Sequence, residues 1–206
     1  MDSDHLIIDF AEQISRRGEN WYFAPLDAGK HFTDRDIWLH MTIRLATPDD
    51  VTAINQVATA AWETDYPLLT QETVEDGVGD WYSPDQIESE LVESQTLLFV
   101  AEREERVVGF AHATWHETDR AGYILRLYVH PDHRREGIGR ALLERTCEEL
   151  FERDIDRISA MVLSANEPGA EFYQQFGFEF GDESETEIGG ERYPESRYVL
   201  DDASQV

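Results

Sequence analysis

Residues 127–143 read Leu-Tyr-Val-His-Pro-Asp-His-Arg-Arg-Glu-Gly-Ile-Gly-Arg-Ala-Leu-Leu, and this stretch constrains the fold more than any other. An apolar strand breaks at Pro131 and gives way to a basic turn. Gly137 and Gly139 then open a helix that places Ile138, Leu142, Leu143, Cys147 and Leu150 inward and Arg140, Glu144, Glu148 and Glu152 outward. Glycines let backbone approach an anion, and the first N–H groups of a helix are free to bind one. A Walker loop is excluded, because no lysine follows the glycines. A dinucleotide fingerprint fails as well, since Leu142 stands where a third glycine is needed. What remains is a pyrophosphate cradle of the form Arg134-x-x-Gly137-x-Gly139 directly after a strand.

Charge narrows the partners. The 206 residues hold 44 acidic against 17 basic side chains, for a net charge of -27, and Lys30 is the sole lysine. Hydrophobic content of 41% and strong apolar periodicity point to a folded core rather than disorder. A carboxylate-rich, lysine-poor shell suits a salty cytoplasm, where screening falls to roughly 3 Å at 1 M salt. Nucleic acid is a poor partner for such a surface, because phosphate neutralisation needs clustered lysine and arginine. The one dense basic cluster, Arg134, Arg135 and Arg140, fits a compact anion. No apolar run reaches the roughly 18 residues of a membrane span, and no signal-peptide pattern opens the chain, so a cytoplasmic location is expected. Cys147 lies among apolar helix positions and reads as core.

Residues 1–40 fit poorly with the rest and are expected to be an accessory segment, or to precede a true start at Met41. A domain over 41–206 then begins with a strand at residues 42–45 and a helix capped by Thr47-Pro48-Asp49-Asp50, running through Val51, Ile54, Val57, Ala58 and Ala61. Residues 62–82, with Pro67, Gly77, Gly79 and four aromatic rings, read as a loose connection. Ser83-Pro84-Asp85-Gln86 starts a second helix. Strands are expected at 97–102, 107–116 and 123–129. In the last of these, Tyr123, Leu125, Leu127 and Val129 share one face, and Ile124, Arg126 and Tyr128 the other. A strand at 158–163, a short helix ending at Gly177, and final strands at 178–180 and 198–200 complete the chain. A polar segment containing Gly189-Gly190 joins the last two.

A second motif, Asn166-Glu-Pro-Gly-Ala-Glu-Phe-Tyr173-Gln-Gln-Phe-Gly-Phe178, follows a strand about one helix after the first. Together the two resemble the GNAT superfamily of acetyl-CoA-dependent acyltransferases, from about Met41 to Leu200. The resemblance implies an α/β (α+β) fold, a mixed twisted central sheet flanked by about four helices, with fourth and fifth strands splayed to admit the pantetheine arm. It implies backbone pairing of Leu127, Tyr128 and Val129 with pantetheine and the thioester carbonyl. Backbone N–H groups of Arg134, Arg135, Glu136, Gly137, Ile138, Gly139 and Arg140 would hold the pyrophosphate, and Asn166 would bond the cofactor arm. Asn166 is equally well placed as a helix N-cap, and Tyr173 as core packing beside Phe172 and Phe176.

The implied activity is N-acetylation of a primary amine, on a small molecule or a protein, by direct attack on the thioester in a ternary complex. Tyr173 would protonate the departing thiolate as general acid. Many members carry a glutamate on the fourth strand near the position of Tyr123. None stands there here, so Glu117, or His116, at the end of the third strand is the base candidate, with a water chain as the other route. His112 and His116 lack a carboxylate pattern for metal. A non-catalytic acyl-CoA-binding or regulatory module is the alternative function, and a homodimer is the expected assembly.

Overall fold

The computed structural model describes residues 41–66 and 69–201. The accessory segment expected over residues 1–40 lies outside them. Among the described residues, seven strands form one sheet in the order β1-β2-β3-β4-β5-β7-β6. They are β1 Met41–Leu45, β2 Thr96–Arg103, β3 Arg106–His116, β4 Ala121–Val129, β5 Arg157–Leu163, β6 Glu179–Ile188 and β7 Glu191–Asp201. Neighbours run antiparallel except β4 and β5, which are parallel. Among the described residues, five α-helices cover the two faces: α1 Val51–Asp65, α2 Gln71–Tyr82, α3 Pro84–Val92, α4 Ile138–Phe151 and α5 Glu167–Gln175.

Each sheet face carries its own core. On one, Ile138, Leu142, Leu143, Cys147 and Leu150 of α4 pack against Phe99, Ala111, Ile124 and Ile158, all nearly sealed from solvent. On the other, Val51, Ile54, Val57, Ala58 and Trp62 of α1 meet Val100, Phe110, Tyr82 and Ile87. The apolar spacing read from α1 and α4 is the spacing that is buried.

Three local expectations need correction. Residues 62–82 are not a loose connection: α1 continues to Asp65, and α2 fills 71–82, capped by Thr70, whose hydroxyl accepts from the Thr73 N–H at 3.1 Å. Gly77 does not break α2 because its missing side chain is what lets the helix close on Trp62; a Cβ there would stand 2.7 Å from Trp62 Cζ3. The polar segment after Phe180 is also ordered strand. β6 and β7 pair from Glu179↔Val199 to Ile188↔Glu191, turning at Gly189-Gly190 with positive φ at both glycines.

The third correction lies in β4. Its register with β3 jumps from Arg126↔His112 to Ile124↔Ala113, so Leu125 is the extra residue of a β-bulge. The bulge resets the alternation. Ile124 faces the α4 core together with Leu127 and Val129, while Tyr128 joins the α1 core. Strict alternation across 123–129 therefore fails at Leu125, at the place where β4 and β5 separate.

Candidate functional site

β4 and β5 pair at four positions only, from Ala121↔Arg157 to Ile124↔Ala160. Beyond that the strands part. β5 stays bound to β7 along its whole length, and β4 to β3, so the separation opens a gap with one free strand edge at residues 125–129. The cleft built on this gap has a volume of about 620 Å³ and is lined by residues from α1, β4, the 133–140 loop, β5 and α5.

At one end stands the start of α4. Gly137 is its N-cap at φ +79, a left-handed conformation that a side chain resists, and no side chain caps the helix. The first α4 bond runs from Ala141 N–H to Gly137 O, at 3.0 Å, so the N–H groups of residues 138–140 have no backbone acceptor among the described residues. A Cβ on Gly137 would meet no protein atom within 4 Å, and one on Gly139 only ordinary contacts with Phe172 and Val129. The loop thus presents open space in front of unspent donors.

Its arginines divide the work. Arg134 does not face open solvent: its Nη1 and Nη2 donate to both Asp65 carboxylate oxygens at 2.6 and 2.9 Å, and its Nε to Val129 O at 3.2 Å. Arg140 pairs with Glu144 at 2.8 Å, and Glu136 with Arg103. Arg135 is exposed and has no carboxylate partner among the described residues.

Opposite the loop lies α5. Asn166 caps it, its Oδ1 accepting from the Gly169 N–H at 3.0 Å, while its Nδ2 donates to the Tyr66 hydroxyl at 3.3 Å. Tyr173 is 6% exposed, with its ring between Phe172 and Phe178. Burial pushes its phenol well above the ordinary value, with Cys147 and Tyr66 adding to the effect. Its side chain lines the cleft.

The structure brings Leu127, Tyr128, Val129, Arg134, Arg135, Gly137, Ile138, Gly139, Arg140, Asn166 and Tyr173 to one cleft. Glu136 is in the same loop but turned to Arg103. Glu117 is not brought there. It stands in the exposed turn after His116, four residues along the chain from Ala113, whose partner Ile124 marks the last β4–β5 pair. His116 is similarly exposed, its ring against Tyr123 at 5.8 Å. Asp65, Tyr66 and Arg126 also line the cleft, a place that sequence reasoning did not assign to them. The one signal for Tyr66 was its place four residues after buried Trp62, whose ring it meets edge-on at 5.1 Å.

Comparison with known proteins agrees with this geometry. Residues 54–178, more than half of the chain, match the acetyltransferase (GNAT) family. The chain is 26% identical to spermidine N(1)-acetyltransferase of Thermoplasma acidophilum over 70% of its own length and 91% of that protein. It is 28% identical to the L-amino acid N-acyltransferase MnaT of Escherichia coli over 67% and 79%. Its fold superposes on the crystal structure of PaiA N-acetyltransferase from Thermoplasma acidophilum in complex with coenzyme A with a TM-score of 0.67, at 24% identity, covering 76% of this chain and 97% of that one.

Proposed function

Because the chain belongs to the GNAT family of acetyltransferases, we propose that this cleft carries an acetyl group from acetyl-CoA to a primary amine, on a small molecule or a protein. The observation that carries the proposal is the parting of β4 from β5 after Ile124↔Ala160, which leaves a strand edge free between an uncapped helix start and a buried tyrosine. The residues present fit acetyl-CoA. Unspent N–H groups and open space at Gly137 suit a pyrophosphate, and the exposed Arg135 supplies a free positive charge beside it. The free edge at Leu127, Tyr128 and Val129 suits the amides of an extended arm. Asn166 already spends its Oδ1 on the helix cap, so only its Nδ2, now on Tyr66, is open to exchange partners.

Bound acetyl-CoA supplies an activated thioester; the chain supplies position and protons. The buried phenol of Tyr173 stays protonated at any working pH and can donate to a thiolate leaving beside it. That thiolate would be desolvated in the same pocket, and its proton affinity raised in the same direction as the phenol's. Glu117 is not among the residues that line the cleft, and Asp65, which is, is held by Arg134. The acceptor therefore gives up its proton to water in the cleft or arrives neutral. Relatives named for spermidine and for an L-amino acid both act on amines, which supports the acceptor class. They are enzymes, so the non-catalytic alternative is not favoured. The cytoplasmic, high-salt setting expected from sequence and the homodimer that the family resemblance implies stay part of this proposal.

The test is an amine panel in molar salt, read as free thiol released from acetyl-CoA, with Tyr173→Phe alongside the wild type. At least one amine should release thiol, and the variant should lose about 10²–10⁴-fold in kcat while keeping acetyl-CoA affinity. An unchanged kcat would remove Tyr173 from the chemistry. Failure to bind acetyl-CoA would sink the whole proposal.

A further inference from the structure

Arg126 follows the bulge at Leu125, two residues past the last β4–β5 pair, and lines the cleft. Only 14% of its side chain is exposed. Its Nη1 donates to Glu90 Oε1 at 2.7 Å and stands 2.9 Å from His112 Nδ1. Arginine cannot accept a hydrogen bond, so His112 Nδ1 is the acceptor and its ring proton sits on Nε2. Gln86 Nε2 donates to the same Glu90 oxygen at 3.0 Å, and the Tyr82 ring lies 4.9 Å from the guanidinium carbon. These contacts hold the guanidinium by one corner.

The other edge is unspent. Arg126 Nε and Nη2 have no hydrogen-bond partner among the described residues, and neither is sealed from the surface. That pair of donors forms the fork that matches the two oxygens of a carboxylate. A buried pair with Glu90 gives little reason by itself to keep an arginine here, since such pairs are often no more stabilising than apolar residues of similar volume. An arginine held rigidly with a fork left open toward a cleft is a receptor for an anion.

We propose that Arg126 binds the carboxylate of the acceptor, so that the molecule acetylated is an α-amino acid or a close analogue with amine and carboxylate a few bonds apart. The inference rests on the acetyl-transfer reading above and deepens it. Arg126 lies about 7 Å along β4 from the point where the gap opens, a span that a compact amino acid bridges with its amine toward the apex. The neutralising partner Glu90 does not defeat this. It occupies Nη1 alone, and the side-on fork brings two further charge-assisted bonds.

The experiment pairs each α-amino acid with the amine it becomes on loss of carbon dioxide, leucine with isopentylamine and tyrosine with tyramine, and reads thiol release from acetyl-CoA in molar salt. Wild-type kcat/KM should favour the amino acid of at least one pair by about ten- to hundredfold. Arg126→Lys, which keeps the charge and loses the fork, should bring that ratio close to one with acetyl-CoA affinity unchanged. If that variant fails to fold, the double change Arg126→Gln with Glu90→Gln removes both charges together and should show the same loss of preference. A wild type that acetylates the amines as well as the amino acids overturns the inference and leaves acetyl transfer standing. So does a variant that slows both members of a pair equally. Silence with every pair while another amine of the panel releases thiol overturns the inference alone; silence across the pairs and the whole panel overturns both.

Discussion

Gly137→Ala separates what the loop needs as a turn from what it needs as a binding site. Gly137 sits at φ +79, where an L side chain costs about 1–2 kcal/mol. For a chain of this size that is a fall of roughly 2–8 °C in melting temperature. No protein atom lies within 4 Å of the added Cβ, so the loss is purely conformational and steric repacking adds nothing. The same methyl projects into the open space before the α4 N–H groups. Losing one charge-assisted bond to a phosphate there weakens binding by about ten- to hundredfold. Gly139→Ala is the internal control. Its backbone is helical, its Cβ would sit at 3.5 Å from Phe172, and alanine is the better helix former, so its melting temperature should not fall. Calorimetric titration with acetyl-CoA and thermal melting, both in molar KCl, read the two effects separately. If Gly137→Ala melts lower but binds as the wild type does, the glycine serves only the turn and the pyrophosphate lies elsewhere. If it neither melts lower nor binds more weakly, the assigned loop geometry is wrong.

Two further outcomes follow from charge. Burial holds His112 at about 4, Arg126 adding to the depression and Glu90 opposing it, against about 6.5 in the unfolded chain. The unfolded state therefore binds the extra proton between those values, so stability is full above pH 6.5 and falls on acidification toward pH 4, by up to about 3 kcal/mol. His112→Gln should flatten that slope in urea melts at pH 4.5 and 7, and an unaltered slope would refute it. The net charge of -27 predicts a melting temperature that climbs between about 0.1 M and about 2 M KCl as self-repulsion is screened; a flat response would remove high-salt adaptation.

How legible the site was depended on how local its cause was. The Arg134–Gly139 turn and the Asn166 cap were readable because each is set by residues adjacent in sequence: a glycine at positive φ, an amide three residues before the N–H it caps. β6 was read only at its start, over 178–180, because of its ten residues only Ile188 is buried, leaving no alternation to read; backbone pairing with β7 holds it. α2 was missed because two glycines look like breakers until Trp62, fifteen residues earlier, is known to lie against Gly77. The bulge at Leu125 carries no sequence mark at all. A single extra residue shows itself only in register with β3, yet it turns Ile124 to one core and leaves Arg126 at the gap.

The least local feature is the one that joins the halves of the cleft. Asp65 and Arg134 are 69 residues apart, and their two-oxygen pair ties the last turn of α1 to the loop ahead of α4. With its guanidinium spent on Asp65 and its Nε on Val129 O, Arg134 contributes backbone and position to the cradle, and Arg135 is left as the exposed charge with no carboxylate partner among the described residues. The same tie fixes Tyr66, the next residue after Asp65, whose hydroxyl meets Asn166 from across the gap at 3.3 Å. An anion drawn to Arg134 would compete with Asp65 and loosen that corner, and with it the wall beside Tyr173. Donor and acceptor geometry thus share one ion pair. That sharing explains why an arginine read from sequence as part of an anion cradle is found holding a carboxylate of the chain itself.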